Sequence, residues 1–456
     1  MATLEAKTNT YPKARSIYVH HVLAEFFEGR SASDEYLCMD LALGVDGKTT
    51  RIIKREGSKN PKHVYFLSLG RLGDFDSRDA EAYKVCLPAV FNGKGYYCVP
   101  GETNIFSVKI IPLTLEEVEF PWDLELASWR ELKILEILAQ YVENNINPNL
   151  PLLISYGICR NTNRKVFQNK NLIQEMRDWH TIKTLEKKEK KLKANDKRRL
   201  SRLKSRTREF SNQSLLVFNE LASMDLTHFL RNNAKKMSPD ELNSIIFQIL
   251  AGLVSVHDEG IAHLDLHLSN VLIALVMDAS YHYKVEGESY YVPLFERSPR
   301  IWDFGRSILK EHGAFSEVSR KAKNTYRSVV ASPKAKDEEI IEENLEKNIN
   351  KYFQYIQSYD VVRICQDIAG ETRELSKRKE LQPILEKLDR IVDDAFYDID
   401  VNLVSKNAGQ PRGKATILIA KYFPEYREFP KNGHVINSHV PFLLTKDSLE
   451  KNTSEK

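Results

Sequence analysis

The sequence predicts an α+β fold with two lobes, a strand-rich first lobe and a helix-rich second lobe. Three observations lead to this prediction. At 456 residues the chain exceeds the size at which one hydrophobic core usually stops growing. Short apolar runs broken by Gly, Asn and Pro mark its first part, whereas apolar residues at helical spacing mark its second part. Strands and helices separated in this way are typical of α+β architectures.

The first lobe is predicted to contain strands and one helix. "HVYFLSLGRLG" and "FSVKIIPL" are rich in Val, Ile, Tyr and Phe, as strands are. Two further strand candidates, "LPLLISYGI" and "SLLVFNEL", lie on either side of a basic segment. Between the two pairs, "ASWRELKILEILAQYV" predicts a helix with one buried face. Its apolar residues recur three or four positions apart: Trp129, Leu132, Leu135, Leu138 and Val142.

The second lobe opens with a strong helix signal, "SPDELNSIIFQILAGLVSVH". Ser238 stands at the N-cap, Pro239 at the first helical position and Glu241 three residues after the cap, which is the pattern of a capping box. One apolar stripe follows, formed by Leu242, Ile245, Ile246, Ile249 and Leu253. This pattern predicts a helix that buries one face.

These signals divide the chain into four segments. We expect an N-terminal extension over 1–61, a first lobe over 62–222 with a basic insert at 183–208, a second lobe over 223–444, and a disordered tail over 445–456. The extension contains a helix-like piece, "IYVHHVLAEFF", but no motif to which a function can be assigned.

The composition argues against several classes of protein. No apolar run approaches the roughly 18 residues that span a bilayer, and none near the N-terminus has the length of a signal-peptide core. We therefore expect a soluble protein of the cytoplasm. The five cysteines are scattered and never form a CxxC pair, which argues against a zinc site.

Two polar stretches carry the chemistry. "GIAHLDLHLSNVLI" places His263, Asp265, His267 and Asn270 within eight positions, and "RIWDFGRSI" adds Asp303. HxDLxxxN followed by DFG is a two-part signature, and with it the chain resembles the protein kinases over roughly 65–368. The resemblance implies a two-lobed protein-kinase-like fold, with a strand-rich N-lobe and a helical C-lobe. It also implies transfer of the γ-phosphate of ATP to Ser or Thr hydroxyls of protein substrates.

The resemblance assigns a role to each polar match. Asp265 would orient the attacking hydroxyl and accept its proton, and Asn270 and Asp303 would bind Mg²⁺. Lys109, in "FSVKII", would contact the α- and β-phosphates of ATP, and Glu131 would hold Lys109 in an ion pair. His263 would be a structural residue packed under the loop.

The remaining nucleotide contacts follow from weaker matches. "VFNELASMDL" resembles the kinase hinge, so Glu220 and Ala222 would present their backbone to adenine and Asp225 would meet the ribose. Gly70 and Gly73 would belong to the loop that covers the phosphates. "QSYDVVRIC" resembles the start of the helix whose Asp, here Asp360, binds the backbone of the catalytic loop.

Several positions depart from the kinase pattern. No third glycine follows Gly73 before Val85, Leu264 replaces the Arg of HRD, His267 replaces the usual Lys, and no APE motif follows DFG. Without the Arg, regulation by activation-loop phosphorylation is not expected. Two alternatives stay open beside a protein kinase: a pseudokinase scaffold that does not grip ATP, and a kinase-fold phosphotransferase acting on a small molecule.

Two further features concern origin and partners. The DLHxxN loop, a tyrosine-rich insertion and DFGR are together similar to Ser/Thr kinases of large nucleocytoplasmic DNA viruses, which implies action in the host cytoplasm or presence in virions. The segment 183–208 contains 13 Lys or Arg against three acidic residues, a local charge of +10 in a chain of +4. It could contact nucleic acid or an acidic partner, or be a solvated, partly helical loop.

Overall fold

The computed structural model describes residues 36–41, 50–53, 64–72, 80–91, 96–98, 104–162, 167, 170–188, 193–204, 207–276, 278–310, 338–375, 377–404, 413–429 and 441–445. The chain forms two compact units. The sheet unit takes the described residues of Val19–Trp129 and Leu153–Leu221, and the helical unit those of Arg130–Leu152 and Ala222–Lys456. Both units have the character that the α+β prediction requires.

The sheet unit is built on eight strands. They are β1 (Tyr36–Leu41), β2 (Thr50–Ile53), β3 (Val64–Arg71), β4 (Glu81–Phe91), β5 (Tyr96–Cys98), β6 (Asn104–Thr114), β7 (Leu153–Thr162) and β8 (Phe210–Asn219). Their order is β3-β2-β1-β7-β8-β6-β4-β5, and β3 also pairs with β4, so the sheet curls back on itself. β1 and β7 run parallel, whereas the other pairs are antiparallel.

Two of these strands lie in the segment predicted as an N-terminal extension. β1 and β2 stand between β7 and β3 and complete the curl of the sheet. Both are short and mix polar with apolar residues, so the period-two pattern that identifies a strand is weak in them. The predicted helix-like piece of the extension and residues 446–456 of the predicted tail lie outside the described residues.

Four helices accompany these strands along the chain: α1 (Leu115–Glu119), α2 (Ala127–Glu143), α3 (Lys170–Glu186) and α4 (Ala194–Lys204). α2 confirms the helix predicted from apolar spacing, because all five residues of the predicted face are buried. α3 and α4 contain the described part of the basic insert, which is therefore helical.

The helical unit contains α5 (Leu226–Asn233), α6 (Pro239–Asp258), α7 (Glu338–Leu375), α8 (Gln382–Val404) and α9 (Ala415–Tyr422). Its strands are β9 (Met224–Asp225), β10 (Ile261–Ala262), β11 (Val271–Leu275), β12 (Ser280–Val285), β13 (Glu288–Pro293), β14 (Arg297–Ile301) and β15 (Ile308–Leu309).

α6 is the central helix of this unit. Its predicted start is confirmed, because the Ser238 hydroxyl accepts a hydrogen bond from the Glu241 amide at 3.0 Å. The prediction of a single buried stripe was wrong, since every residue from Leu242 to Val256 is buried. Elements on several sides of the helix, among them β10, β13, β14, α7, α8 and α9, cover the face that the sequence pattern left for solvent.

The tyrosine-rich insertion forms the hairpin β12–β13. Its turn places Glu286 and Gly287 at φ 50° and 88°, the positive values that tight two-residue hairpin turns require. The hairpin packs on α6, where the ring of Phe247 lies 5.4–5.6 Å from four other aromatic rings. These rings belong to Tyr283, Tyr290, Phe423 and Tyr426. The insertion is thus part of the core of the helical unit.

Within the described ranges, no helix combines the length and the apolar character needed to cross a membrane.

A buried acid beside the hairpin makes stability depend on pH. Asp278 is 1% exposed, and neither carboxylate oxygen has a hydrogen-bond partner among the described residues. Burial raises the pKa of Asp278 from 3.8 to about 7. Between these two pH values the folded state holds a proton that the unfolded state has lost, so the free energy of unfolding falls as the pH rises from 4 to 7 and stays low above 7.

The substitution Asp278→Asn is therefore expected to stabilise the protein more at pH 8 than at pH 4.5. The difference between the two gains should be at most about 4 kcal/mol, because one pKa unit corresponds to about 1.4 kcal/mol. Urea unfolding of both proteins at the two pH values measures it. An equal gain at both pH values would contradict the assignment, since an uncharged Asn contributes only a pH-independent offset.

Candidate active site

The loop that carries Asp265 is fixed at both ends by strands of the helical unit. β10, which precedes it, pairs with β15, and β11, which follows it, pairs with β14 and β9. The loop ends in a 3₁₀ turn over Leu268–Asn270, which the His267 side chain caps by accepting a hydrogen bond from the Ser269 amide at 3.3 Å. The loop backbone is therefore held close to its own turn.

Asn270 connects the loop to itself and to the next motif. Its side-chain Nδ2 donates to the carbonyl of Asp265 at 2.8 Å, and its own carbonyl accepts from the Trp302 amide at 2.8 Å. Asn270 is 2% exposed. These two bonds bring Asp265, Asn270 and the DFG segment that begins at Asp303 into one neighbourhood.

Asp360 of α7 binds the backbone just before Asp265. Its two carboxylate oxygens accept from the amides of His263 and Leu264, each at 2.7 Å, and Oδ2 also lies 3.3 Å from Nε2 of His257. The side chain is fully buried. Leu264 has φ 63°, a left-handed conformation that a non-glycine residue adopts only when its surroundings enforce it.

This contact is the one that the kinase resemblance implied for Asp360. The expected position of Asp360 near a helix start was wrong, because α7 begins at Glu338 and Asp360 lies well inside it. Gln357, one turn earlier, donates from Nε2 to the carbonyls of His257 and Ile261 at 2.9 Å. The same face of α7 therefore holds both β10 and the start of the loop.

His263 is a structural residue, as predicted. It is fully buried, its Nδ1 accepts from the Asp265 amide at 3.3 Å, and its Nε2 lies 2.8 Å from the Trp302 carbonyl. Because Nδ1 accepts, the proton belongs on Nε2, which donates to Trp302. The ring also packs 4.8 Å from the ring of Phe304. His263 thus joins the catalytic loop to the DFG segment.

The DFG segment turns sharply at its aspartate. Asp303 has φ 62° and ψ 73° and precedes a 3₁₀ turn over Phe304–Arg306. Gly305 lies between two carboxylates: a methyl group on its Cα would stand 3.3 Å from Oε2 of Glu131 and 3.4 Å from Oδ1 of Asp303. A side chain at Gly305 would crowd both acids. The arrangement thus places Glu131, 5% exposed on α2, beside the DFG turn.

Two contacts at this site were not predicted from the sequence. Nη1 of Arg306 donates to Oδ1 of Asp265 at 3.2 Å, so the cation on this carboxylate comes from the residue after DFG. Nε of Arg130, which is 1% exposed, donates to the carbonyl of Ser307 at 2.8 Å. No motif position marked either arginine. The only available signal was that Arg130 directly precedes Glu131 on the helix.

The residues predicted to contact the phosphates lie in the sheet unit. Lys109 is on β6, opposite Ala82 of β4 and Val217 of β8, and is 9% exposed. Gly70 is on β3, opposite Lys84. Gly73 lies outside the described residues.

The predicted nucleotide contacts near the hinge already have protein partners. The hydroxyl of Ser107 donates to the Glu220 carbonyl at 3.0 Å, and the Glu220 residue is buried. Ala222 is half-buried between β8 and β9. Asp225 caps α5: it accepts from the His228 amide at 2.9 Å and lies 2.7 Å from His228 Nδ1. A ribose hydroxyl would have to share the Asp225 carboxylate with this cap.

The donor set suits a hard divalent cation. Among the described residues, no three His, Cys, Asp or Glu side chains cluster as metal ligands. Mg²⁺ needs fewer, because it usually takes one or two protein oxygens and completes its shell with water and phosphate. Asp303 offers a carboxylate, and Asn270 offers Oδ1 because its Nδ2 is bound to Asp265. These two residues fit the group that the sequence predicted for them.

Comparison with known proteins agrees with this geometry. Residues 155–311 match the family model of the protein kinase domain. Uncharacterized protein C717R of African swine fever virus (strain Badajoz 1971 Vero-adapted) is 26% identical over 187 residues, which cover 36% of this chain and 26% of the viral protein. The chain thus matches about a quarter of the length of this relative.

Two further matches are shorter or more distant. Serine/threonine-protein kinase PLK4 of Xenopus tropicalis is 36% identical over 70 residues, or 15% of this chain and 7% of PLK4. The solved structure described as the crystal structure of Rad53 kinase domain and SCD2 has 14% identity and a TM-score of 0.35, and covers 85% of this chain and 98% of that one.

Proposed function

Because the chain is a divergent member of the protein kinase superfamily, we propose that it transfers the γ-phosphate of ATP to Ser or Thr hydroxyls of protein substrates. One observation carries the proposal. Asp265, Asn270 and the DFG segment are joined by direct hydrogen bonds, and Asp360 and His263 fix them from below. Phosphoryl transfer depends on positioning and charge more than on covalent chemistry, so a rigid polar set of this kind is what the reaction needs.

Each residue of the helical unit has a definite part in the proposed reaction. The Asp265 carboxylate accepts the proton of the substrate hydroxyl and orients its oxygen toward the phosphate. The Asn270 amide oxygen and the Asp303 carboxylate would hold Mg²⁺. When bound, Mg²⁺ neutralises charge on the β- and γ-phosphate oxygens. Glu131 lies beside the DFG turn and would pair with Lys109.

The sheet unit supplies the other nucleotide contacts of the proposal. Lys109 would neutralise the α- and β-phosphates, and backbone groups of Gly70 and Gly73 would cover them. Glu220 and Ala222 would present backbone groups to adenine. Asp225, which caps α5, would bind the ribose with whatever acceptor capacity the cap leaves.

Ser/Thr specificity rests on weaker support than kinase activity. The match to PLK4, whose description names a serine/threonine kinase, is short. In addition, the tyrosine-kinase form of the catalytic loop has a small residue where His267 stands and an Arg where Ser269 stands. We further propose, from the similarity to the viral protein, that the enzyme acts in the cytoplasm of an infected host cell.

Incubation of the purified full chain with radiolabelled ATP, Mg²⁺ and a mixture of generic protein substrates tests the proposal. We expect label on Ser or Thr after acid hydrolysis of the substrates, and its loss when EDTA is added. An Asp303→Ala protein prepared in parallel controls for a co-purified kinase. Label that persists in this variant would refute the metal assignment.

The same experiment separates the alternatives. Label on tyrosine would overturn the Ser/Thr specificity. ATP binding in a thermal-shift assay without label on protein would favour a small-molecule acceptor, and the absence of both label and shift would favour a pseudokinase scaffold.

A further inference from the structure

The basic insert is a folded two-helix arm of the sheet unit. α3 buries an apolar stripe of Leu172, Met176, Trp179 and Ile182. Nε1 of Trp179 donates to the Phe210 carbonyl at the start of β8 at 2.9 Å. On α4, Leu200 is 5% exposed. The arm therefore has its own apolar seat, and its charged residues are held on the remaining surface.

Acidic side chains of this arm are already engaged by its own cations. Glu175 accepts from the backbone amide, Nε and Nη2 of Arg208 at 2.9–3.1 Å. Glu186 pairs with Lys204 at 2.7 Å and lies 3.9 Å from Lys183. The hydrogen bond from Lys204 lowers the pKa of the Glu186 carboxyl. These acids therefore do not compensate the other cations of the arm.

A set of exposed cations is left over. Six side chains on α4 and on the segments between the helices are exposed and form no ion pair with any described residue: Lys187, Lys188, Lys193, Lys197, Arg198 and Arg199. Like charges held this close repel one another, which costs free energy unless an anion binds. Such a surface suits a polyanion.

The chemistry of the arm narrows the partner. None of the exposed large hydrophobic residues of the described chain lies between 170 and 208. Insertion into a membrane surface and tight protein association both need apolar or aromatic anchors, and single-stranded nucleic acid needs rings on which bases stack. A duplex backbone needs only cations at its phosphates.

We propose that the α3–α4 arm binds double-stranded nucleic acid through its phosphate backbone, without sequence preference. Lys193 and Lys197 stand four positions apart at the start of α4, about 6 Å along a helix axis, and Arg198 and Arg199 extend the same exposed surface. The duplex carries a phosphate about every 3.4 Å on each strand, so successive cations meet phosphates without a change in the arm. This binding site is separate from the proposed phosphotransfer residues and does not depend on them.

Fluorescence anisotropy of a labelled random-sequence 30-base-pair DNA duplex, titrated with the full chain between 50 and 200 mM salt, tests the proposal. The arm variant is Lys197→Gln, Arg198→Gln, Arg199→Gln. It should raise Kd at least ~10-fold at 100 mM salt and reduce the slope of log K against log salt by about 2.7, or about 0.9 for each lost phosphate contact.

The matched control is Lys235→Gln, Lys236→Gln, Lys379→Gln, which removes three exposed charges from the helical unit. It should bind within about twofold of the wild type, and all three proteins should unfold at the same temperature because the substituted side chains are exposed. The proposal is overturned if the wild type does not bind the duplex, or if the arm and control variants bind equally. Tighter binding to phosphatidylserine vesicles or to poly-glutamate than to the duplex would also overturn it.

Discussion

Replacing Asp265 by Asn is expected to lower the rate of the proposed phosphoryl transfer by about 10²- to 10⁴-fold, the usual contribution of a positioned proton acceptor. Asn keeps the size of the side chain but cannot take up a proton at neutral pH. The backbone of residue 265 is held by His263 and Asn270, and the side chain is 29% exposed and contacts Arg306. Folding should therefore be unaffected. Steady-state kcat measures the loss, and isothermal titration with ATP shows whether nucleotide binding is retained.

A charge-matched control separates this effect from a general change in surface charge. Asp389→Asn on α8 removes an exposed carboxylate that pairs with Arg373, far along the chain from either motif. This control should keep kcat within about twofold of the wild type, as surface substitutions usually do. An Asp265→Asn protein with kcat within tenfold of the wild type would show that another group accepts the proton.

The parts of the fold that the sequence predicted correctly are those with strong local patterns. α2 has apolar residues at regular helical steps, and α6 has a Ser cap followed by Pro, so each is identifiable without any tertiary information. β1 and β2 lack such a pattern. They are strands because β7 and β3 offer free edges, and pairing across that distance along the chain is invisible in a local window.

The candidate site divides in the same way. Asp265, Asn270 and Asp303 were found because their order and spacing repeat a known motif, and Asp360 because of a weaker one. Arg306 was missed because its importance depends on a tertiary contact with Asp265 across 41 positions of sequence. The reverse case is Asp225, where the motif predicted a ribose contact and the structure adds a competing role as helix cap.

Asp360→Ala is expected to lower the free energy of unfolding by about 3–5 kcal/mol and to reduce the proposed transfer at the same time. The substitution leaves the amides of His263 and Leu264 buried without an acceptor, at about 1–3 kcal/mol for each. It also releases Leu264 from φ 63°, a conformation that costs about 1–3 kcal/mol and persists only when neighbours enforce it. Without the clamp, the loop should relax toward ordinary backbone angles and carry Asp265 out of position.

Urea unfolding measures the stability of the variant, and kcat measured well below its unfolding temperature isolates the effect on the loop. The matched control is Asp367→Asn on the same helix, whose carboxylate pairs with Arg363 at 3.2 Å and should cost less than about 1 kcal/mol. Hydrogen exchange adds a local readout, because the amides of His263 and Leu264 should exchange faster than those of α6 in the variant but not in the control. Retained protection of both amides in Asp360→Ala would mean that other contacts, such as those of Gln357 and His263, hold the loop without the carboxylate.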